Sequence, residues 1–202
     1  MKIGILGTGK AARALAQKWS ATGHSITFGS RDPSTSNVPI YPVVTHAEAA
    51  DAAQLVVNVT PGAATLDVVK QIGPDVLADK TLIDAANAVT SDLRLLYPND
   101  GLGERLQQML PETNVVKTLN TLNISVMTNP GAVPPSTIFL SGDDEPAKKT
   151  VSELLRELGW PDESVLDLGD ITTARGPEHY FIMFATMLSA LRTPLFNIRL
   201  VK

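Results

Sequence analysis

No cysteine occurs in the 202 residues, which excludes disulfides and thiolate chemistry and leaves nothing to read about a redox compartment. Histidine is confined to His24, His46 and His179, scattered along the chain. There is no H-E-x-x-H pair for a metal and no G-x-S-x-G nucleophile elbow. No run of basic residues stands out and the net charge is −4, so nucleic acid is not an expected partner. The longest uncharged stretch near the end, over 180–191, falls short of the roughly 20 residues a bilayer requires. The apolar start reads as a strand rather than a leader, so a cytoplasmic protein with no membrane partner is expected. What remains is ordinary: 44% hydrophobic and 19% charged residues, enough chain for one large or two small domains.

The most informative stretch is the first thirty-one residues. Lys2-Ile3-Gly4-Ile5-Leu6 is a short apolar run, and Gly7-Thr8-Gly9-Lys10-Ala11-Ala12 follows at once. Ala12, Leu15, Ala16 and Trp19 then repeat at helical spacing, and Gly23 ends that helix. A second strand, Ser25-Ile26-Thr27-Phe28, leads to Gly29-Ser30-Arg31. A strand that stops at Gly7 must turn sharply, Gly9 leaves room for a pyrophosphate against bare backbone, and Ala12 lets helix and strand lie close. The first amides of the helix then face the phosphates. This is the pattern of a dinucleotide-binding βαβ unit.

The end of the second strand speaks to the cofactor. An NAD enzyme usually places a carboxylate there for the ribose hydroxyls. Here Ser30 can donate to a 2′-phosphate and Arg31 can form a charge-assisted pair with it, so NADP(H) is the expected cofactor. A solvated surface arginine is the plainer alternative. Asp32 is an awkward neighbour, which Pro33 is expected to turn away.

Along the rest of the chain, strands alternate with helices. Residues 32–42 form a long proline-bearing loop, Val43-Val44 a brief strand, and Thr45 with Glu48 a capping box for the next helix. Further strands are expected at 54–59, 80–84, 115–119, 137–141 and 165–168. Helices are expected at 63–72, 103–110 and 146–158. The tail over 177–191 reads as a helix apolar nearly all round, suited to a core or a subunit interface. The fold class is therefore α/β, a Rossmann-type doubly wound, mainly parallel sheet. Residues 1–125 are assigned to the nucleotide-binding domain. Residues 126–202 are assigned to a small C-terminal α/β lobe packed on it and not folding independently.

In such a sheet, ligands bind outside the carboxyl ends of the strands. The segments ending there are Gly7-Thr8-Gly9, Ser30-Arg31, Thr60-Pro61, Ala85-Ala86-Asn87 and Asn120-Thr121. The last three are small or amide-bearing and suit a nicotinamide ribose and carboxamide. Thr60, Asn87 and Asn120 could equally be helix caps. His24 and His179 are read as structural, and His46 as part of a first helical turn. No residue stands out as a general acid, which disfavours a ketone or imine reductase and fits hydride transfer between stacked rings.

Taken in order, the glycine motif, Gly23-His24, Gly29-Ser30-Arg31-Asp32-Pro33, Asp84-Ala85-Ala86-Asn87-Ala88, Lys117-Thr118-Leu119-Asn120-Thr121, Ser141-Gly142-Asp143-Asp144 and Phe196-Asn197-Ile198-Arg199-Leu200-Val201 resemble one family. It is the dinucleotide-binding enzymes related to deazaflavin (coenzyme F420)-dependent NADP oxidoreductases, and the cytoplasmic domain of six-transmembrane metalloreductases is similar. The resemblance implies an often dimeric Rossmann protein that binds NADPH through the first two motifs, with a flavin or deazaflavin (F420) on the nicotinamide. Asn120 stands where deazaflavin enzymes often carry His, and is closer to the metalloreductase domains. The expected cofactor-binding set is Gly7, Thr8, Gly9, Lys10, Ala11, Ser30, Arg31, Thr60, Pro61, Ala85 and Asn87. Asn120 and Thr121 are expected to orient the rings, with no metal. Two alternatives stay open: a reductase of a small imine or carbonyl compound, and a binding module that senses NADP(H) without turnover.

Overall fold

A computed structural model describes residues 1–36 and 38–201; Asn37, inside the predicted long loop, and Lys202 lie outside the described residues. The first six strands are β1 (Lys2–Leu6), β2 (Ser25–Ser30), β3 (Val43–Thr45), β4 (Leu55–Asn58), β5 (Thr81–Asp84) and β6 (Asn114–Thr118). They are followed by β7 (Ile138–Gly142) and β8 (Val165–Asp167). All eight form one sheet in the order β3-β2-β1-β4-β5-β6-β7-β8. Every pairing is parallel except β6 with β7, which is antiparallel and registers Thr118 opposite Leu140. Residues after 125 thus extend the same sheet. The architecture is Rossmann-like α/β, and strand order reverses between β1 and β4, where such sheets open a crevice.

Covered parallel strands read as apolar runs because both faces are buried. Leu55, Val56 and Val57 of β4 are all buried, as are Leu82 and Ile83 of β5. On one face lie α1 (Lys10–Ala21) and α7 (Glu145–Glu157). Ala12, Leu15, Ala16 and Trp19 of α1 and Val151, Leu154 and Leu155 of α7 share one core there. The Trp19 indole N–H donates to the Leu154 carbonyl at 3.1 Å and so ties the two helices together. On the other face lie α2 (His46–Asp51), α3 (Gly62–Ile72), α4 (Pro74–Leu77) and α5 (Gly101–Met109). They cover Leu6, Val56, Leu82 and Val115. The remaining helices are α6 (Ile124–Met127) and α8 (Arg175–Leu191).

The capping box read at Thr45 is present in full: Glu48 N–H donates to the Thr45 hydroxyl at 3.2 Å, and the Thr45 N–H donates to the Glu48 carboxylate at 2.9 Å. The apolar tail helix departs from one expectation. It does not lie in the core: of α8 only Pro177, Glu178 and Phe184 are buried. Met183 and Leu191 face outward, as do Leu195 and Leu200 in the segment after it. That segment returns to the start of β7, where Thr137 N–H donates to the Ile198 carbonyl at 2.8 Å. Phe196 stacks on Phe184 with centroids 5.1 Å apart. Among the described residues, no helix is long and apolar enough to cross a membrane.

Candidate functional site

A cavity of about 570 Å³ opens at the carboxyl ends of β1, β2 and β4. Gly7, Thr8, Gly9, Ser30, Arg31, Thr60 and Pro61 line it, together with His46, Val59, Ala64 and Val68. Gly7 has φ +110°, in the left-handed range that favours glycine, and its N–H donates to the Gly29 carbonyl at 2.8 Å. A Cβ on Gly9 would meet nothing within 4 Å. The backbone there is bare toward open space, which is the cradle a pyrophosphate requires. Gly9 also precedes α1 without any side-chain cap, so the first amides of that helix remain available to an anion. Lys10 and Ala11 form the first turn of α1 and do not line the cavity wall.

Ser30 is buried, and its hydroxyl oxygen lies 2.6 Å from that of Ser36 and accepts from Asp32 N–H at 3.2 Å. Arg31 is exposed, and among the described residues no hydrogen bond or ion pair engages its guanidinium. Asp32 is turned away from the cavity, as the sequence suggested. It caps the 3-10 turn Pro33–Thr35, accepting from the Ser34 N–H at 3.1 Å and the Ser34 hydroxyl at 2.6 Å. The Ser34 hydroxyl is the main influence holding this carboxyl below its ordinary value. A negative charge is thus tethered on the loop, leaving the cation of Arg31 facing the cavity mouth.

His46 was missed in the sequence as a site residue. It begins α2, yet its ring lies in the cavity wall. Nδ1 is buried and has no partner among the described residues. Burial first, and then the charge of Arg31, push this imidazole below its ordinary pKa. A signal did exist in Gly29: a Cβ there would come within 2.9 Å of His46 Nδ1 and 3.0 Å of its Cα. Glycine on β2 is what lets this histidine sit against the strand.

Behind Thr60, away from the cavity surface, lies a network of buried polar groups. The Thr60 hydroxyl donates to Asn58 Oδ1 at 2.6 Å, and the Asn58 amide donates to Asp84 at 2.7 Å. Lys117, with no exposed side-chain surface, donates to Asp84 Oδ2 at 2.6 Å and to the Ala86 carbonyl at 2.6 Å. It also lies 3.0 Å from Glu178 Oε1 of α8. Burial pulls the Lys117 pKa down, but the charges of Asp84 and Glu178 and their hydrogen bonds outweigh it and hold it above the ordinary lysine value. Glu178 accepts from the N–H groups of Leu102 and Gly103 at 2.7 and 2.9 Å. These are the first amides of α5, the positive end of its dipole.

Asn87 and Asn120 face each other. The Asn120 amide donates to Asn87 Oδ1 at 2.9 Å, and the Asn87 amide donates to the Asn120 carbonyl at 2.7 Å. Neither is a helix cap: Asn123 caps α6 by accepting from Ser125 N–H at 3.0 Å. Thr60 is not a cap either, since its hydroxyl is held by Asn58 and Pro61 occupies the cap position of α3. Leu119 adopts φ +66°, a strained conformation for a non-glycine residue that turns the chain out of β6 just before Asn120. A Cβ on Gly62 would come within 2.1 Å of the Asn87 carbonyl oxygen, so α3 starts in direct backbone contact with the Asn87 loop. Ala85 is partly exposed at the end of β5, Thr121 is buried beside Asn120, and Ala85, Asn87, Asn120 and Thr121 are not among the residues that line the cavity. His24 and His179 have structural contacts: His24 Nε2 lies 2.8 Å from Glu157, and His179 Nε2 donates to the Pro98 carbonyl at 2.9 Å. No group of acidic or histidine side chains suited to a metal occurs among the described residues.

Switch-point crevice, glycine cradle and uncapped helix together define a Rossmann-like nucleotide-binding protein. The family described as NADP oxidoreductase, coenzyme F420-dependent, matches residues 2–88. A crystal structure from Arthrobacter sp. FB24, of a candidate F420-dependent NADP-reductase, superposes with a TM-score of 0.94. It is 38% identical, and the match covers 100% of both chains. The chain belongs to this NADP-dependent oxidoreductase family. Metalloreductase STEAP3 of Rattus norvegicus is 31% identical over 179 residues, 88% of this chain. The chain spans only 36% of the length of that relative. A reductive aminase from Aspergillus terreus, in complex with NADPH and ethyl levulinate, shares the fold at a TM-score of 0.70 and 19% identity, covering 95% of this chain and 62% of the other.

Proposed function

We propose that the protein transfers a hydride between NADPH and a flavin-type or deazaflavin (F420) acceptor. The hydride passes between the nicotinamide ring and the second ring system. The observation that carries the reading is the kind of residue that stands at the strand ends beside Thr60. At the ends of β4, β5 and β6 the groups are Thr60, Ala85, Asn87, Asn120 and Thr121. The nearby ionisable groups, Asp84 and Lys117, are fully buried and engaged with each other. These groups suit the orientation of rings, and none of them is a free acid for a carbonyl or imine.

In this reading the Gly7, Thr8 and Gly9 backbone with the first turn of α1, Lys10 and Ala11, holds the pyrophosphate. Ser30 and Arg31 take the 2′-phosphate. Thr60, Pro61, Ala85 and Asn87 border the nicotinamide half. Asn120 orients the rings through its amide, with Thr121 behind it. The exposed apolar residues Met183, Leu191 and Leu195 support a homodimer contact along α8, because a surface of this kind is usually covered. The test is to mix protein and NADPH with a panel of flavins, F420, small carbonyls and imines, and follow the reduced-nicotinamide absorbance. Oxidation with a flavin or F420 alone is expected. Turnover only with carbonyls or imines would overturn the acceptor assignment. Tight NADPH binding with no turnover on the panel would point to a sensor instead.

A further inference from the structure

We propose that His46 is a specificity-determining residue for the cofactor, presenting a neutral imidazole N–H to the 2′-phosphate beside Ser30 and Arg31. This rests on the NADPH reading above and adds to it a donor outside the two family motifs that end at Arg31. Three observations converge. His46 lines the same cavity as Ser30 and Arg31. Its Nδ1 side is pressed onto β2, where Gly29 leaves no Cβ in the way. That nitrogen is buried with no partner among the described residues.

The tautomer follows from these. A proton on Nδ1 would be a buried donor with nothing to receive it, which is costly. The proton therefore sits on Nε2, and the Nε2 edge is the part of the ring left for the cavity. The charges nearby favour the neutral ring. Arg31, at the end of β2, repels a second cation. Glu48, on the same helix as His46, is folded back onto Thr45, with Oε2 at 2.9 Å from its N–H and 2.7 Å from its hydroxyl. Asp32 is held by Ser34. From α3 the cavity receives only Ala64 and Val68. Arg31 then supplies charge, and His46 supplies direction without adding a cation beside the guanidinium. The ligand class is a ribose phosphate monoester, and a ribose bearing only hydroxyls gains less from the same donor.

The experiment is equilibrium titration of NADPH and NADH, by nucleotide fluorescence, against wild type, His46→Phe, His46→Ala and His46→Gln. The phenylalanine and alanine variants are expected to lose roughly tenfold or more in NADPH affinity, the size of a hydrogen bond to a charged group. NADH affinity should change far less. Gln, which keeps an N–H donor, should restore most of the loss, and a purely structural histidine would show no such rescue. Melting temperatures identify any variant that fails to fold, and the phenylalanine and alanine variants back each other up. Strong wild-type preference for NADPH that survives in both of them overturns the role of His46 alone. Equal binding of the two cofactors by wild type overturns the NADPH reading and this role with it. A wild-type NADPH affinity that falls steeply as pH rises from 7 to 9 would mean that a cationic ring does the binding, and overturns the neutral-donor assignment.

Discussion

Replacing Lys117 by Met tests whether the buried ion network organises the region between the cavity at the β1, β2 and β4 ends and α8. The substitution keeps an unbranched apolar stem, one atom shorter, and removes the charge. Asp84 and Glu178, each almost fully buried, then lose the ammonium that lies 2.6 and 3.0 Å from them. Ala86 loses its donor as well. Breaking a buried pair from one side costs about 3–5 kcal/mol, because the remaining charge stays out of water. For a chain of this size each kcal/mol moves the melting temperature by about 2–4 °C, so a fall of roughly 6–20 °C is expected. The assay is thermal unfolding followed by circular dichroism, repeated across pH. The folded pKa of Lys117 lies above its ordinary value of 10.5. Its contribution is therefore fully present below that value and is lost as pH climbs through the folded one. The gap between wild type and variant should stay level from neutral pH toward pH 10 on account of Lys117, and narrow above it. A fall of less than about 3 °C at neutral pH would refute the reasoning, as would a gap that widens at alkaline pH.

Three further outcomes follow from the cavity. Arg31→Ala should weaken NADPH binding by roughly ten- to a hundredfold, the worth of one charge-assisted hydrogen bond, and leave NADH nearly unchanged; comparative titration of both nucleotides decides it. Gly9→Val should fold with a near-normal melting temperature, since a Cβ there meets nothing, yet lose both cofactors by titration; normal NADPH binding would place the pyrophosphate elsewhere. Asn120→Ala should slow single-turnover hydride transfer while NADPH affinity barely moves, because reacting atoms must be held about 3–3.5 Å apart; unchanged transfer with a lowered melting temperature would leave Asn120 a purely structural partner of Asn87.

The elements that carried strong local signals were legible in the sequence. The glycine turn, the apolar face of α1, the capping box at Thr45 and the face of α7 each follow from chemistry within a few residues. The order of strands β1 to β6 is the one such alternation produces. Contacts distant in sequence were not legible. Nothing local says that Gly62 must meet the Asn87 backbone, or that Glu178, near the start of α8, reaches Lys117 on β6. The apparent apolarity of α8 likewise hid its one buried carboxylate, which is neutralised only by the α5 amides and Lys117. Asn87 and Asn120 could be read as site residues or as helix caps, because small polar residues after strands often are caps. Their pairing across two strand ends became visible only in three dimensions. His46 was overlooked for a related reason: at a helix start it looked local, and its meaning lay in Gly29 on the neighbouring strand.

The cavity meets the buried ion network at the Thr60 hydroxyl, which borders the cavity and hydrogen-bonds Asn58. Ser30, Arg31 and His46 stand on one side of it, and Asp84, Lys117 and Glu178 on the other. On the proposed assignment, coenzyme preference can drift, or be engineered, by exchanging residues at the end of β2 and the start of α2 while the ion network stays intact. The reverse does not hold. An exchange at Lys117 disturbs Asp84, and through Asn58 reaches Thr60 at the cavity rim.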